Sequence, residues 1–554
     1  MLTKLAGGRV YDPANGVDGE RRDIFIRDGR IVADPGAKPD AVLDVSGKVV
    51  MSGAIDIHSH VSGGKVNIAR ALLPEEHRRT RRAREAGRRA GSGEATATTF
   101  STGYRYAEMG YTAAFEPAMV PVNARQNHIE MCDIPIVDKG AYVMLGSDDY
   151  LLRLLAAKAD QKRIDDYVAW TMNATQALAV KVVNAGGISA FKFNGRSLDL
   201  DEPGPHYGIT PRDVLRSLAR ALQDLGVPHP LHVHGCNLGV PGNFDTTLKT
   251  MAGVEGLPLH LTHVQFHSYG TEGDRKFSSA AAQIAEAVNR NKNISMDVGQ
   301  VMFGQTVTAS GDTMAQYRNR KFADPAKWVV MDIECEAGCG LVPFRYRDKN
   351  FVNALQWAIG LELFLMVEDP WRIFLTTDHP NGGPFTSYPH LIRLLMDKTF
   401  RNEMLATIHK DAARASALGA IAREYSLYEI AIMTRAGPAR TLGLRDRGHL
   451  GAGAAADITV YTDHADKERM FSRPDLVFKD GVLVVRDGAL IAETWGGTHV
   501  VRPAFDRAVE KDLRGYFDRY LSMSMDHFAF SEAELADQNR FRALVQPTQK
   551  GHGS

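Results

Sequence analysis

Short apolar runs that end in polar side chains recur along the middle of the chain, and each run predicts a strand. Longer stretches with helical spacing separate the runs, and this alternation favours parallel βα units. Several runs end in histidine or aspartate, and an α/β barrel keeps its active site at the carboxyl ends of its strands. The predicted strands are V-V-M-S-G-A-I-D-I, A-Y-V-M-L-G, H-P-L-H-V-H, P-L-H-L-T-H-V, I-S-M-D-V and R-I-F-L-T-T-D.

The two ends of the chain follow another pattern, in which short alternating strands turn at Asp-Gly pairs. Residues 23–32 alternate and turn at Asp28 and Gly29, which predicts a hairpin. The pattern returns at residues 476–488, and residues 453–461 add a further strand. We therefore expect one small β domain built from both ends. The predicted boundaries are 1–50 plus 440–500 for the small β domain, 51–439 for the barrel and 501–554 for a helical C-terminal appendage.

Charge and composition narrow the range of functions. Lys plus Arg and Asp plus Glu each number 66 among the 554 residues, so the formal net charge is zero. A neutral chain is a poor general binder of nucleic acid, and it lacks the charge repulsion that keeps monomers apart, which favours an assembly. No apolar stretch reaches the ~20 residues of a membrane span, and no signal-peptide pattern is present. We expect a cytoplasmic protein.

The four cysteines are too few for a disulfide framework in a chain of this length. Cys335 and Cys339 form a C-x-x-x-C pair, but no second pair completes a tetrahedral zinc or iron–sulfur site. We therefore expect no structural metal at the cysteines.

The first candidate for chemistry is the stretch G-A-I-D-I-H-S-H at residues 53–60. Alternate side chains of a strand share a face, so His58 and His60 point the same way, with Asp56 on that face but deeper. H-x-H is a spacing by which one strand end offers two imidazoles to one metal ion. The alternative is a buried strand that happens to end in histidine.

Three later strand ends carry side chains of the same types, which are the ligand types of a divalent-metal hydrolase. Taken singly, each of these histidines is equally consistent with a hydrogen-bonded residue of the core. Four strand ends that carry such side chains in barrel order favour one shared metal site. The side chains are His232 and His234, then His260, His263 and His267, and finally Asp378.

The stretch at residues 53–60 resembles the opening strand of the amidohydrolase superfamily, whose usual form is P-G-x-I-D-x-H-x-H. G-P-A-R-T-L-G-L and G-H-L-G-A-G-A-A-A-D-I-T-V-Y resemble the return of that superfamily to its small β domain. Other runs look like the A-type subunits of formylmethanofuran dehydrogenases and of bacterial formyltransferase/hydrolase complexes. Those runs are R-A-G-S-G, T-G-Y-R-Y-A-E-M-G-Y-T, V-K-V-V-N, H-V-Q-F-H-S-Y-G, V-P-F-R-Y and L-T-T-D-H-P-N-G-G-P-F-T-S-Y-P. The resemblance implies a (β/α)8 TIM-like amidohydrolase barrel with a small β-sandwich domain built from both chain ends.

The resemblance also implies a site with two zinc ions, bridged by a carboxylated lysine. Two lysines compete for the bridging role. Lys181 matches the V-K-V-V-N run of the A-type subunits, whereas Lys192, in S-A-F-K-F-N, resembles the bridging-lysine strand of hydantoinases. We favour Lys181 because the closer resemblance should decide. The implied metal ligands are His58, His60, Lys181, His234, His263 and Asp378.

Two residues receive catalytic roles from the resemblance. Asp378 would take a proton from water and pass it to the leaving amine. His267, four residues after His263, would donate a hydrogen bond to substrate, and the alternatives for it are a supporting or a purely structural role.

The implied reaction hydrolyses an N-formyl furfurylamine carrier of one-carbon metabolism, methylofuran or methanofuran, to free carrier and formate. The implied partners are a formyltransferase and B/C-type subunits. Such carriers have anionic tails, and the arginine run at residues 78–89 is a candidate to hold that tail, with a solvated helix face as the alternative. The other candidate functions are the dehydrogenase subunit that condenses formate with methanofuran, a hydantoinase-like cyclic amidohydrolase, and a metal-free scaffold.

Overall fold

The computed structural model describes residues 1–186, 199–331, 338–535 and 541–549. Within these ranges, strands and helices alternate through the middle of the chain. The strands are β1 (Leu2–Asp12), β2 (Val17–Arg27), β3 (Arg30–Val32), β4 (Ala41–Asp44), β5 (Val49–Ser52), β6 (Ala54–Asp56), β7 (Tyr111–Ala114), β8 (Glu116–Met119), β9 (Ala141–Leu145), β10 (Ala179–Val183), β11 (Leu231–His234), β12 (Leu259–Leu261), β13 (Tyr269–Gly270), β14 (Ser278–Ser279), β15 (Ile294–Asp297), β16 (Gly304–Ser310), β17 (Val329–Met331), β18 (Cys339–Tyr346), β19 (Ile373–Phe374), β20 (Ile458–Tyr461), β21 (Leu476–Lys479), β22 (Val482–Arg486), β23 (Ala489–Leu490), β24 (Thr498–Val501) and β25 (Ala543–Gln546).

The described helices pack mainly outside the parallel strands. They are α1 (Gly63–Ala71), α2 (Pro74–Arg79), α3 (Thr99–Glu108), α4 (Ala124–Cys132), α5 (Asp149–Ala156), α6 (Gln161–Ala174), α7 (Pro211–Leu225), α8 (Phe244–Gly253), α9 (Ala281–Arg290), α10 (Thr313–Asn319), α11 (Phe351–Met366), α12 (Tyr388–Met396), α13 (Lys398–Thr407), α14 (Lys410–Ala415), α15 (Leu427–Ala431), α16 (Gly437–Leu442), α17 (Lys467–Ser472), α18 (Ala508–Tyr520) and α19 (Met525–Phe528). None of these helices is both long and apolar enough to cross a membrane.

Parallel strands form a ring at the centre of the molecule. Seven of them are hydrogen-bonded in the order β19-β15-β12-β11-β10-β9-β8, and β6 pairs in parallel with β7. A bridge between Ser59 and His379 brings the chain after β6 beside the chain after β19, which closes the ring. β10 is buried at all five positions, so its sequence, A-V-K-V-V, does not alternate between apolar and exposed polar residues. The structure therefore has the α/β barrel that the sequence pattern predicts.

The apolar run at residues 49–57 forms two strands in two different sheets and not the single strand that it predicts. β5 pairs with β1 and β20 in the small sheet, whereas β6 pairs with β7 in the barrel. Gly53 lies between them, and a Cβ atom there would collide with the side chain of Thr112. Hydrophobicity predicts an extended chain, but it does not reveal where that chain leaves one sheet and enters another.

Both ends of the chain contribute to one nine-stranded sheet. Its order is β23-β22-β21-β20-β5-β1-β2-β3, with β4 paired to β1. The ends meet where β20 runs antiparallel to β5, with Ile458 opposite Ser52. Side chains from both ends share a small core, among them Leu5, Val10, Ile24, Val50 and Phe478. The sheet has the two-ended construction that the Asp-Gly hairpins predict, and the domain boundaries stay a prediction.

Buried ion pairs fix the small sheet against the barrel. The ammonium nitrogen of Lys479 lies 2.9 Å from Oδ2 of Asp138 and 2.8 Å from Oδ2 of Asp457. Nε of Arg447 lies 2.6 Å from the same oxygen of Asp138. Buried charges require well-placed partners, so this cluster specifies how the two parts join.

A separate small sheet covers one side of the barrel mouth. β16 and β17 both pair antiparallel with β18, and α10 lies between β16 and β17 in the chain. Cys339 is buried at the start of β18, and Cys335, the other member of the C-x-x-x-C pair, lies outside the described residues. Near the C-terminus, β25 follows α18 and α19 and pairs in parallel with β24. The C-terminal stretch therefore contains a strand in addition to the expected helices.

Candidate metal centre

A cavity of about 910 Å³ opens at the carboxyl ends of the barrel strands. Side chains from the strand ends form its floor, and the segment from β16 to β18 forms much of its outer wall. The six residues that the sequence nominates as metal ligands all line this cavity: His58, His60, Lys181, His234, His263 and Asp378. The fold thus brings together side chains that are up to 320 positions apart in the sequence.

His58 and His60 follow the end of β6 and converge on one carboxylate oxygen. Nε2 of His58 lies 3.0 Å from Oδ1 of Asp378, and Nε2 of His60 lies 3.4 Å from the same oxygen. All three side chains are buried, and they offer ligand atoms within 4.8 Å of one another. Two imidazoles and a carboxylate at this spacing form a donor set that suits a divalent metal ion.

Asp378 presents its Oδ1 atom to the site while its other oxygen is held. Asn381 donates from Nδ2 to Oδ2 at 3.0 Å, whereas Oδ1 makes no hydrogen bond with acceptable angles. Its backbone φ is +52°, a strained conformation for a residue with a side chain. Burial would raise the pKa of Asp378, but the nearby His58 and His263 rings hold that pKa well below its usual value. The carboxylate is therefore ionised, and its Oδ1 atom faces the imidazoles of His58 and His60.

His234 and His263 lie beside this group, at the ends of β11 and β12. Their ring centroids are 4.6 Å apart, and the ring of His263 is 5.5 Å from that of His58. Nε2 of His234 and Nδ1 of His263 are buried without a hydrogen-bond partner in the described part of the chain. Burial holds the pKa of both rings well below the usual value, so both are neutral, as metal ligands must be.

Lys181 reaches the same cavity from β10. Its Nζ atom donates to Oγ1 of Thr262 at 3.1 Å. Burial lowers the pKa of Lys181 to about 7, against the opposing influence of the Asp297 and Asp378 carboxylates. Lys192, the competing candidate for the bridging role, lies outside the described residues. The ring nitrogens of His234 and His263 that lack hydrogen-bond partners, the Oδ1 atom of Asp378 and this buried amine are all possible metal ligands. Their arrangement fits a metal centre better than a hydrogen-bonded polar core.

Two supporting carboxylates were missed by the sequence reasoning. Asp297 lies 3.0 Å from Nδ1 of His58 and 3.2 Å from Nε2 of His260, and it accepts the backbone N–H of His263. Glu116 lies 2.9 Å from Nδ1 of His60. Carboxylates in these positions fix the orientation of ligand imidazoles and raise their basicity. The available signal was that both follow apolar runs, Asp297 at the end of the predicted strand I-S-M-D-V.

A chain of buried imidazoles lies beneath the site. Nε2 of His229 is 2.9 Å from Nδ1 of His232, and Nε2 of His232 is 3.0 Å from Nδ1 of His58. His58, His232 and Asp297 form a second compact group of possible ligand atoms, but these atoms already bond to one another. The geometry therefore assigns His232 to the support of His58 rather than to the cavity.

Asp56 holds the backbone that leads to the first histidine. Its Oδ1 atom accepts the backbone N–H of His58 at 3.1 Å, and its Oδ2 atom accepts the hydroxyls of Tyr106 and Tyr388. The carboxylate contacts no imidazole of the site. It supports the floor of the barrel, beneath the histidines whose strand face it shares.

His267 does not line the cavity, although the catalytic role predicted for it requires contact with a substrate there. Its ring stacks on His263 with centroids 5.4 Å apart, and it does not belong to the residues that line the cavity. Burial lowers its pKa to about 3, so the ring is neutral. The placement favours a supporting role, and a substrate contact stays a prediction.

The arginine run at residues 78–89 does not line the cavity among the described residues. Arg82 and Arg88 instead contact Glu108, at 3.1 Å and 3.3 Å, and Arg89 lies over the ring of Phe100. Arg82, Arg88 and Arg89 therefore pair with neighbouring side chains outside the cavity lining, and the role of the run in holding an anionic tail stays a prediction.

Comparisons with known proteins agree with this site. Residues 41–492 match the profile of the "Amidohydrolase family". The chain is 44% identical, over 97% of its length and 98% of the relative, to the A-type subunit of the formyltransferase/hydrolase complex Fhc of Methylorubrum extorquens. It is 42% identical to "Protein FwdA" of Methanocaldococcus jannaschii, over 95% of this chain and 96% of that one. A crystal structure of the formyltransferase/hydrolase complex from Methylorubrum extorquens with methylofuran matches 99% of this chain and 100% of the matched chain, with a TM-score of 0.93 and 43% identity.

Proposed function

The chain belongs to the amidohydrolase family, and from this membership we propose that it hydrolyses an N-formyl furfurylamine carrier to free carrier and formate. The carrier is methylofuran or methanofuran, and the setting is a formyltransferase/hydrolase complex of one-carbon metabolism. The observation that carries the proposal is the convergence of six nominated metal ligands on one cavity. The full-length similarity to one component of such a complex supports the choice of substrate.

We infer that the cavity holds two zinc ions. His58 and His60 would hold one ion and His234 and His263 the other, with Asp378 beside the first pair. Lys181, carboxylated on Nζ, would bridge them, and its burial without a carboxylate contact among the described residues supports this role. Bound zinc supplies Lewis-acid activation of water and of the formyl oxygen.

The protein side chains supply the proton transfers and the alignment. The Asp378 carboxylate is ionised and lines the cavity, so its Oδ1 atom can take a proton from the attacking water and deliver it to the leaving amine nitrogen. Asn381 holds the other oxygen, which keeps Oδ1 directed into the cavity. Glu116 and Asp297 fix the rings of His60 and His58 through their Nδ1 atoms. Hydrolysis consumes one water and leaves an amine, a carboxylate and a proton on one of them.

The complex would supply the formylated carrier through a formyltransferase, with B/C-type subunits completing the assembly. A cytoplasmic location is part of the same proposal. The cyclic amidohydrolase and the dehydrogenase component are less favoured, because the solved complex that covers the whole chain is of the formyltransferase/hydrolase type. A metal-free scaffold is less favoured, because it gives no reason for burying ring nitrogens of His234 and His263 that lack hydrogen-bond partners among the described residues.

The test is formate release from formyl-methylofuran by the purified complex. Replacing Asp378→Asn removes the proton acceptor and keeps the shape of the side chain. We expect kcat to fall by roughly 10²–10⁴-fold, the usual contribution of general acid–base catalysis. Zinc content per chain, measured on the same sample, separates loss of the proton acceptor from loss of metal.

The matched control is Asp312→Asn, which removes another carboxylate from the cavity wall. Asp312 caps α10 through the backbone N–H of Ala315, and asparagine caps a helix equally well. We expect its kcat to stay within about threefold of the parent. Normal hydrolysis by Asp378→Asn, or none by the unmodified zinc-loaded complex, would contradict the proposal.

A further inference from the structure

Lys65 places an unpaired positive charge in the cavity. The side chain comes from the first turn of α1, five residues after His60, and it lines the same cavity as the six nominated ligands. Among the described residues, its only polar contact is with Sδ of Met144, at 3.7 Å. A thioether is a weak acceptor, so the ammonium lacks the partner that a half-buried cation normally has.

The position of Met144 places this ammonium near the nominated bridging lysine. Met144 on β9 is in register with Lys181 on β10, and neighbouring strands are about 4.8 Å apart. The charge of Lys65 also acts on Lys181 and Glu116, where it lowers the pKa of each. Lys65 therefore belongs to the reaction site and not to the outer rim of the cavity.

Glu116 and Asp297, the two carboxylates that orient ligand imidazoles, already accept hydrogen bonds from other groups. Glu116 accepts from His60 Nδ1 and from the backbone N–H groups of Val61, Ser62 and Ala118. Asp297 is taken by two histidine rings and the backbone of His263. Glu116 and Asp297 thus have their lone pairs filled by other donors. Among the described residues Lys65 forms no ion pair with Asp378 or another carboxylate, so its charge is available for a ligand.

Resting on the hydrolysis proposed above, we propose that Lys65 binds the carboxylate that the reaction releases, which is formate when the acyl group is formyl. Hydrolysis converts a neutral formamide into an anion within the cavity. A charge-assisted hydrogen bond from Nζ would hold that anion and would contribute little to the neutral substrate. Lys65 is then a binding residue for the product, and for formate as substrate in the reverse direction.

The experiment measures inhibition of formyl-carrier hydrolysis by formate and by formamide, in the whole complex, with Lys65→Met and Lys65→Arg. Formate carries the charge and formamide is its neutral counterpart of similar size. We expect Lys65→Met to raise the formate inhibition constant by roughly 10- to 100-fold and to leave the formamide constant within about threefold. Lys65→Arg keeps the positive charge and should recover most of the formate binding.

Lys321→Met is the matched control, because Lys321 is an exposed lysine on the outer wall of the same cavity. It removes the same charge farther from the ligands, so the formate inhibition constant should not change. Calorimetric titration with sodium formate gives the same comparison without turnover, and it decides the matter if Lys65→Met is inactive.

An unchanged formate affinity in Lys65→Met, with hydrolysis intact, would overturn the inference and leave the proposed function standing. An equal loss of formate affinity in Lys321→Met would also overturn it, because the effect would then be one of general charge. Absence of formyl-carrier hydrolysis in the unmodified complex would instead contradict the proposed function, and the calorimetric comparison would still test Lys65.

Discussion

Two H-x-H pairs that look alike in the sequence have different structures. In the first pair, His58 and His60 both reach Oδ1 of Asp378. In the second pair, only His234 lines the cavity, while His232 lies beneath it and contacts the ring of His58. The first pair therefore offers two ligands, and the second offers one ligand and one support.

Depth along the strand explains the difference. β6 ends at Asp56, so both histidines of the first pair follow the strand, where the chain bends and only an isolated bridge at Ser59 joins it to a neighbour. β11 extends through His234, and His232 is paired within the ladder with Lys181 and His260. Two residues of strand correspond to about 6–7 Å, which is enough to move a ring from the cavity to the layer below. The H-x-H spacing determines which face of the strand the two rings share. The position of the strand end determines how deep each ring lies below the cavity.

The largest expected effect separates the two members of the second pair. His234→Leu removes a cavity ligand, so we expect kcat/KM for formyl-carrier hydrolysis to fall by roughly 10²–10⁴-fold, since a metal contributes several kcal/mol. Metal analysis should show fewer zinc ions per chain than in the parent. Full zinc content with normal activity would show that His234 is not a ligand.

The same substitution one layer deeper should have a smaller effect. His232→Leu removes the contact with His58 Nδ1 and leaves His229 Nε2 without its partner. We expect metal affinity to fall by about 10- to 100-fold, as for other residues that orient ligands, while the zinc content at saturating metal stays normal. Competition with a chelator measures the change.

His232→Gln is the matched variant, because the glutamine amide can replace one ring nitrogen as a hydrogen-bonding group. It should recover part of the lost metal affinity. Equal losses in His232→Leu and His234→Leu would remove the distinction between ligand and support.

The smallest expected effect tests the backbone support of the first pair. Tyr106→Phe removes a hydroxyl that lies 2.7 Å from Asp56, which in turn holds the N–H of His58. We expect the free energy of unfolding to fall by about 1 kcal/mol, with the midpoint of thermal unfolding as the measurement. Activity should change by less than about threefold, because no ligand ring moves.

Tyr111→Phe provides the control for that substitution. The hydroxyl of Tyr111 is also buried in this region, but it has no hydrogen-bond partner among the described residues. Its removal should leave stability unchanged or slightly higher, because no bond is lost and a desolvated polar group disappears. A larger loss in Tyr111→Phe than in Tyr106→Phe would show that Asp56 does not act through its hydrogen bonds.

Local patterns predicted the barrel and its small two-ended sheet, because apolar runs and Asp-Gly turns depend on neighbouring residues. They did not predict the break at Gly53, which follows from contact with Thr112 about 60 positions away. They also did not reveal that Arg82 contacts Glu108 and that Arg89 lies over the ring of Phe100, outside the cavity lining. Pairings between remote segments have no signature in either segment alone.

The sequence by itself determined which side chains are available at each strand end, because alternation along a strand and the length of an apolar run are local properties. The strand-end pattern nominated the histidines and Asp378, and the resemblance to the A-type subunits added Lys181 and selected the six side chains that line one cavity. Only the tertiary structure decided their depth, the carboxylates that orient them and the place of the Lys65 charge in the cavity. These depend on strand register and on which segments close the ring, and both are set by packing between parts of the chain that are distant in sequence.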